Sequence, residues 1–147
     1  MGYCIGEPIG RESDMRRKLS KHQRKTGDSP KSVLLLEGDS VVREELATII
    51  NEAPDLVVCG QSDTAPEAMS AVSALKPDAA IVQISLDGSV GLELIQALKA
   101  THPKLPVIAS VLYDEEELAK LAMKVGASSV ITARNVIEPV RRALAAG

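Results

Sequence analysis

Ala79-Ala80-Ile81-Val82-Gln83-Ile84-Ser85-Leu86-Asp87-Gly88-Ser89-Val90-Gly91-Leu92-Glu93 opens as an unbroken apolar run and then changes character. Ala79 to Val82 has the length and composition of a strand buried on both faces. A polar turn containing Gly88 follows, and apolar residues return at helical spacing at Leu92, Ile95 and Leu98. In an open α/β sheet, chemistry is placed outside the carboxyl ends of such strands. The residue at that mouth is Gln83. Its side-chain amide is neutral and a very poor nucleophile, so it cannot accept a transferred group as a carboxylate does.

The same alternation extends in both directions. Upstream, Ser32-Val33-Leu34-Leu35-Leu36 reads as a buried strand, and Glu37-Gly38-Asp39-Ser40 as a turn with Asp39 or Ser40 available as N-cap. Val42, Leu46, Ile49, Ile50 and Ala53 continue at helical spacing up to Pro54. Leu56 to Gly60 is a second strand, and Thr64 caps a helix with Pro66 in its first turn. Downstream, the third helix ends near Thr101-His102-Pro103, and Pro106 to Val111 is a fourth strand. Asp114-Glu115-Glu116-Glu117 suits the positive end of a helix dipole. Leu118, Leu121, Ala122 and Val125 read as that helix's buried stripe, and Gly126 as its C′ residue. Ser128 to Thr132 is a fifth strand, and Asn135 caps a last helix with Val136, Ile137, Val140 and Leu144 inward. Strands and helices thus alternate five times. Right-handed crossovers then predict an α/β parallel sheet with five helices on its two faces, and a flavodoxin-like, doubly wound fold of order 2-1-3-4-5 fits it.

Composition bounds the rest. The chain has 147 residues, no Phe or Trp, and two tyrosines, Tyr3 and Tyr113, so its core must be aliphatic. Residues 1–31 carry eight Lys/Arg against four acids, whereas 32–147 carry nine against sixteen. The first stretch has no apolar period and reads as a basic, mostly disordered arm, with 32–147 as the folded domain. The arm suits an acidic partner, a membrane surface or nucleic acid, or is a solvated leader. The domain itself is acidic and nearly without aromatics, so only the arm offers nucleic-acid contacts. Gly6 breaks the myristoylation pattern, no apolar run could span a membrane, and no secretory signal is evident. The expected location is the cytoplasm. Cys4 and Cys59 form no disulfide framework, and with His22 and His102 they give no metal-ligand pattern. Cys59 reads as a small buried hydrophobe.

Three words, Glu37-Gly38-Asp39-Ser40-Val41-Val42-Arg43-Glu44, Ile84 to Glu93, and Val125-Gly126-Ala127-Ser128, in this order and spacing, resemble the receiver domain of two-component response regulators. The likeness covers about Ser32 to Gly147 and is greatest to receivers that precede helix-turn-helix DNA-binding domains. Such receivers move a phosphoryl group from a histidine kinase to an aspartate. The resemblance implies that the acceptor position falls on Gln83 and the Mg²⁺-holding acidic pair on Glu37 and Gly38, with Asp39 adjacent but off register. It puts the Ser/Thr position on Val111, with Ser110 one place earlier, and the lysine position on Ala133, with Arg134 one place later. The switch aromatic falls on Val130, and the proline of the loop on Asp87. Arg134 could reach Glu37 or Asp39 as a structural ion pair.

The functional expectation is a pseudo-receiver. It has no catalytic residues and no tight Mg²⁺ or other metal site, and it acts as a phosphorylation-independent interaction module rather than an enzyme. The family's signalling surface, helix 4, strand 5 and helix 5, here spans Asp114 to Lys124 and Asn135 to Ala146 and could also support a homodimer. The alternative is an active phosphoacceptor in a phosphorelay, using Asp87 or Asp39 as a displaced acid. The chain stops just after the fifth helix with no output domain following, so it reads as stand-alone or as an excerpt.

Overall fold

A computed structural model describes residues 29–84, 90–111, 116–132 and 134–146. The arm up to residue 28, Asp87, Asp114 and Ala133 therefore lie outside the described residues. In chain order the elements are β1 (Lys31–Leu36), α1 (Ser40–Glu52), β2 (Leu56–Ser62), α2 (Ala65–Leu75), β3 (Ala79–Gln83), α3 (Val90–Thr101), β4 (Val107–Ser110), α4 (Glu116–Lys124), β5 (Ser129–Ile131) and α5 (Ile137–Ala146). The sheet is parallel with order β2-β1-β3-β4-β5, the expected doubly wound arrangement.

Because successive strand residues point to opposite faces, the sheet carries two cores. Val33, Leu35, Ile81, Ile108 and Ile131 pack against Leu46 and Ile50 of α1 and Val140 of α5. Leu34, Val82, Val107 and Ala109 pack on the other side against Val72 of α2, Ile95 and Leu98 of α3, and Leu118 and Ala122 of α4. Each buried Leu, Ile or Val contributes about 1.5–3 kcal/mol. Aliphatic residues on both faces thus supply the core in a chain without Phe or Trp. Cys59 is buried in the second of these cores.

The ends of elements differ from the sequence reading in instructive ways. β2 runs two residues past Gly60, because Gln61 and Ser62 pair with Leu35 and Leu36 after a register shift at Val33/Leu34. Asn135 does not cap α5: its backbone exchanges hydrogen bonds with Thr132 at 3.1 and 3.4 Å, and the helix begins at Ile137. Leu121 is 46% exposed rather than buried. It lies about 60° around the helix from Leu118, on the side away from Ala122, so the sheet-facing stripe excludes it.

One lysine ties several segments together. Lys99 Nζ donates to the carbonyls of Pro103 at 3.0 Å and Leu105 at 2.9 Å. Its stem covers Gly126, where φ is 123° and an added Cβ would stand 2.8 Å from Lys99 Cγ. Only glycine suits that position. No described helix is long and apolar enough to cross a membrane.

Candidate functional site

The residues singled out from sequence converge on the C-terminal ends of β1, β3 and β4. Glu37 follows β1 and is 2% exposed. Its Oε2 accepts from the Asp39 amide at 3.2 Å, while Oε1 is buried without a hydrogen-bond partner. Burial pushes the Glu37 carboxyl above its usual range, the Asp39 amide opposes the shift, the Asp39 charge adds to it, and the Arg43 charge opposes it. Gly38 is exposed, and an added Cβ there would meet nothing within 4 Å.

Asp39 is occupied with folding. Its Oδ1 accepts from the amides of Val41 at 2.9 Å and Val42 at 3.1 Å, making it the N-cap of α1. The helix it starts brings Arg43 back toward the strand end, where Nη1 donates to the Glu37 carbonyl at 2.6 Å. The guanidinium beside Glu37 is therefore Arg43, and Arg134 is exposed and makes no ion pair with Glu37 or Asp39. The expected Arg134 pairing fails because Thr132 and Asn135 close a tight backbone turn around it.

Gln83 closes β3, half-buried and in register with Ser110. Its Nε2 donates to the Ile84 carbonyl at 3.1 Å. Gly91 permits the approach of α3, since a Cβ there would lie 2.4 Å from the Gln83 carbonyl oxygen and 2.6 Å from Ile84 Cγ2. Val111 is buried with the α2–α4 core, and its amide donates to the Ile131 carbonyl at 3.0 Å. Alternation sets Ser110, also buried, on the opposite side, so it does not stand in for Val111. Val130 is partly buried against the same core as Val111. Ala133 and Asp87 lie outside the described residues.

Two residues here escaped the sequence reading. Arg43 carries a signal in hindsight, since a base in the first turns after an N-cap returns toward the preceding strand end. Ser62 carried none: the polar end of β2 reads as a loop, yet its hydroxyl is buried and unpartnered near Glu37. Among the described residues, no three of His, Cys, Asp and Glu gather as a metal-ligand set.

Residues 33–144 match the family model of the response regulator receiver domain. Response regulator GacA of Pseudomonas viridiflava is 27% identical over 100 residues, which are 68% of this chain and 47% of that protein. The DNA-binding transcriptional activator DevR/DosR of Mycobacterium tuberculosis is 31% identical over 99 residues, 67% of this chain and 46% of that protein. The chain thus spans about half the length of the curated relatives it matches. Among solved structures, the receiver domain of NtrX from Brucella abortus superposes with a TM-score of 0.68 at 26% identity, covering 78% of this chain and 99% of that one. A two-component response regulator of the LuxR family from Aurantimonas shares the fold, with a TM-score of 0.73 at 20% identity over 80% of this chain and 87% of that one. The alternating sheet, the cluster at its carboxyl end and the match over nearly the whole described domain agree: this chain belongs to the response regulator receiver domain family.

Proposed function

We propose that this receiver is released from phosphoryl chemistry and works as a phosphorylation-independent protein-interaction module in signal transduction or transcriptional regulation. The observation that carries the reading is Gln83 at the end of β3, a neutral amide whose Nε2 is engaged with the Ile84 carbonyl. The surrounding groups fit Mg²⁺ poorly. Gly38 offers no side-chain ligand, the Asp39 carboxylate already accepts two backbone amides, and the one remaining carboxyl among the described residues at this strand end, Glu37, is disfavoured in its charged form. In this reading the domain takes no cofactor and catalyses no step. A place in the cytoplasm follows from the same reading.

The partner surface in this reading is α4, β5 and α5. Leu121 and Met123 stand out on α4, 46% and 49% exposed, beside the charged pair Lys120 and Glu117. A protein partner or a second copy of the chain would cover them. Nucleic acid is left to the basic arm alone.

The competing reading is an active phosphoacceptor using Asp39 or Asp87. Against Asp39 stands its capping role, because its Oδ1 already accepts from the Val41 and Val42 amides at the positive end of α1, which stabilises the carboxylate charge and weakens it as a nucleophile. Intact mass after incubation with acetyl phosphate and Mg²⁺ separates the two. The pseudo-receiver stays unmodified, whereas a stoichiometric gain of about 80 Da on a carboxylate refutes it.

A further inference from the structure

We propose that a groove along the N-terminal edge of the sheet is the docking site for this chain's own first 14 residues. Two hollows of about 640 and 660 Å³ open on this edge. Both are lined by Asp78, so they adjoin, and each has the size of an ordinary ligand pocket. The first lies between the C-terminal ends of α2 and α3, with Pro77, Pro103, Leu105 and Pro106 giving it an apolar lining. The second is lined by Ser29 and Pro30, the residues through which the chain enters the domain. The described chain therefore begins at the wall of the groove.

The charges of the groove are sorted. Its acids are committed: Asp78 Oδ2 accepts from the Ser32 amide at 2.7 Å and hydroxyl at 3.2 Å, and Asp55 holds Arg141 through two bonds of 2.7 and 2.9 Å. Lys99 is spent on the Pro103 and Leu105 carbonyls. Among the described residues, the side chains of Lys76, Lys104 and His102 have no such engagement. Lys76 is held at the rim as the left-handed C-cap of α2, with φ 49°. An apolar lining under a cationic rim calls for an apolar, acidic segment.

The preceding chain contains one, and it is divided in charge. Residues 1–14 hold Tyr3, Cys4, Ile5 and Ile9 together with the acids Glu7, Glu12 and Asp14, against the single base Arg11. Residues 15–28 hold six Lys/Arg and one acid, Asp28. The first half matches the groove. The second half does not, and it serves as the tether. Fourteen extended residues reach up to about 46 Å, ample to bring Tyr3 to the first hollow. Closing such a loop costs little more than closing one half its length.

The test uses the full chain and its own cysteine. Cys4 carries a nitroxide label, in a Cys59→Ala background so that the buried thiol cannot compete, and amide signal loss is read by NMR. The proposal expects broadening centred on the amides of Lys76, His102 and Leu105, more than 20 residues in sequence from Ser29. Tyr3→Ser with Ile5→Ser should disperse it, and Lys76→Glu with Lys104→Glu should weaken it at least twofold. Broadening that merely decays from Ser29, or that centres on α4 and α5, overturns the proposal.

Discussion

The amide of Glu37 donates to the carbonyl of Ser62 at 3.1 Å, and each of these two residues carries a buried polar side-chain atom with no partner, Oε1 of Glu37 and Oγ of Ser62. A buried carboxylate in this position is a cost that neutral chemistry would relieve. Glu37→Gln keeps an acceptor for the Asp39 amide and supplies a donor that can turn toward Ser62. We expect it to stabilise the domain at pH 7 by about 1 kcal/mol. Urea unfolding at that pH measures it, and a loss of stability would contradict the reading.

Glu37 also makes the stability of the domain depend on pH. The folded state raises the Glu37 pKa above the ordinary value of 4.5, so folding favours the protonated acid. That contribution is fully present below pH 4.5 and disappears as pH rises through the folded value. The stability advantage of Glu37→Gln over the parent should therefore grow from pH 4 to pH 7. Parallel unfolding curves at both pH values give the difference, and an advantage that shrinks with pH would reverse the assignment.

Asp39→Ala removes the cap of α1 and should cost about 1 kcal/mol. Under the proposed function it leaves the mass after acetyl phosphate treatment unchanged. Asp39→Asn should recover most of the stability, since an amide oxygen also accepts from the Val41 and Val42 amides.

Gly91→Ala forces a methyl group onto the Gln83 carbonyl and Ile84, contacts that real side chains do not make. Overpacking of this kind costs about 1–3 kcal/mol. Thermal unfolding should show the loss, with the helical signal retained because only the start of α3 must shift.

Gln83→Asp alone should not create a phosphoacceptor, because the metal-binding partners are still missing. Gly38→Asp is sterically open, as nothing lies within 4 Å of its added Cβ. The double variant is expected to bind Mg²⁺ at least tenfold more tightly than Gln83→Asp, by isothermal titration. Equal affinities would mean that another residue already fills the second acidic position.

The alternation of apolar runs was enough to read five strands alternating with five helices, because a strand buried on both faces and an amphipathic helix differ in period; the order 2-1-3-4-5 was the doubly wound arrangement that fits such a chain. Thr64 was legible as a cap and Asp39 as one of two candidates with Ser40, since each precedes a helical period and has a short polar side chain; Asn135 has both properties and does not cap, because its backbone is engaged with Thr132. The end of β2 was not legible. Gln61 and Ser62 are polar, and only pairing with Leu35 and Leu36 across the register shift makes them strand. Leu121 was misread because its spacing fits a stripe that the sheet does not cover. Arg134 and Arg43 show the limit for charges. Sequence lists the long cations near a carboxylate, but the backbone course decides which one arrives.

Lys99 acts as a cross-brace between the end of α3, the turn that follows it, and Gly126, which lies more than twenty residues on. Its ammonium clasps the turn before β4 while its methylenes roof the glycine before β5. Loosening one stretch removes a support from the other two. Hydrogen exchange at the amides of Leu105 and Ala127 should then report one shared opening, and the bottom of the sheet breathes as a single unit.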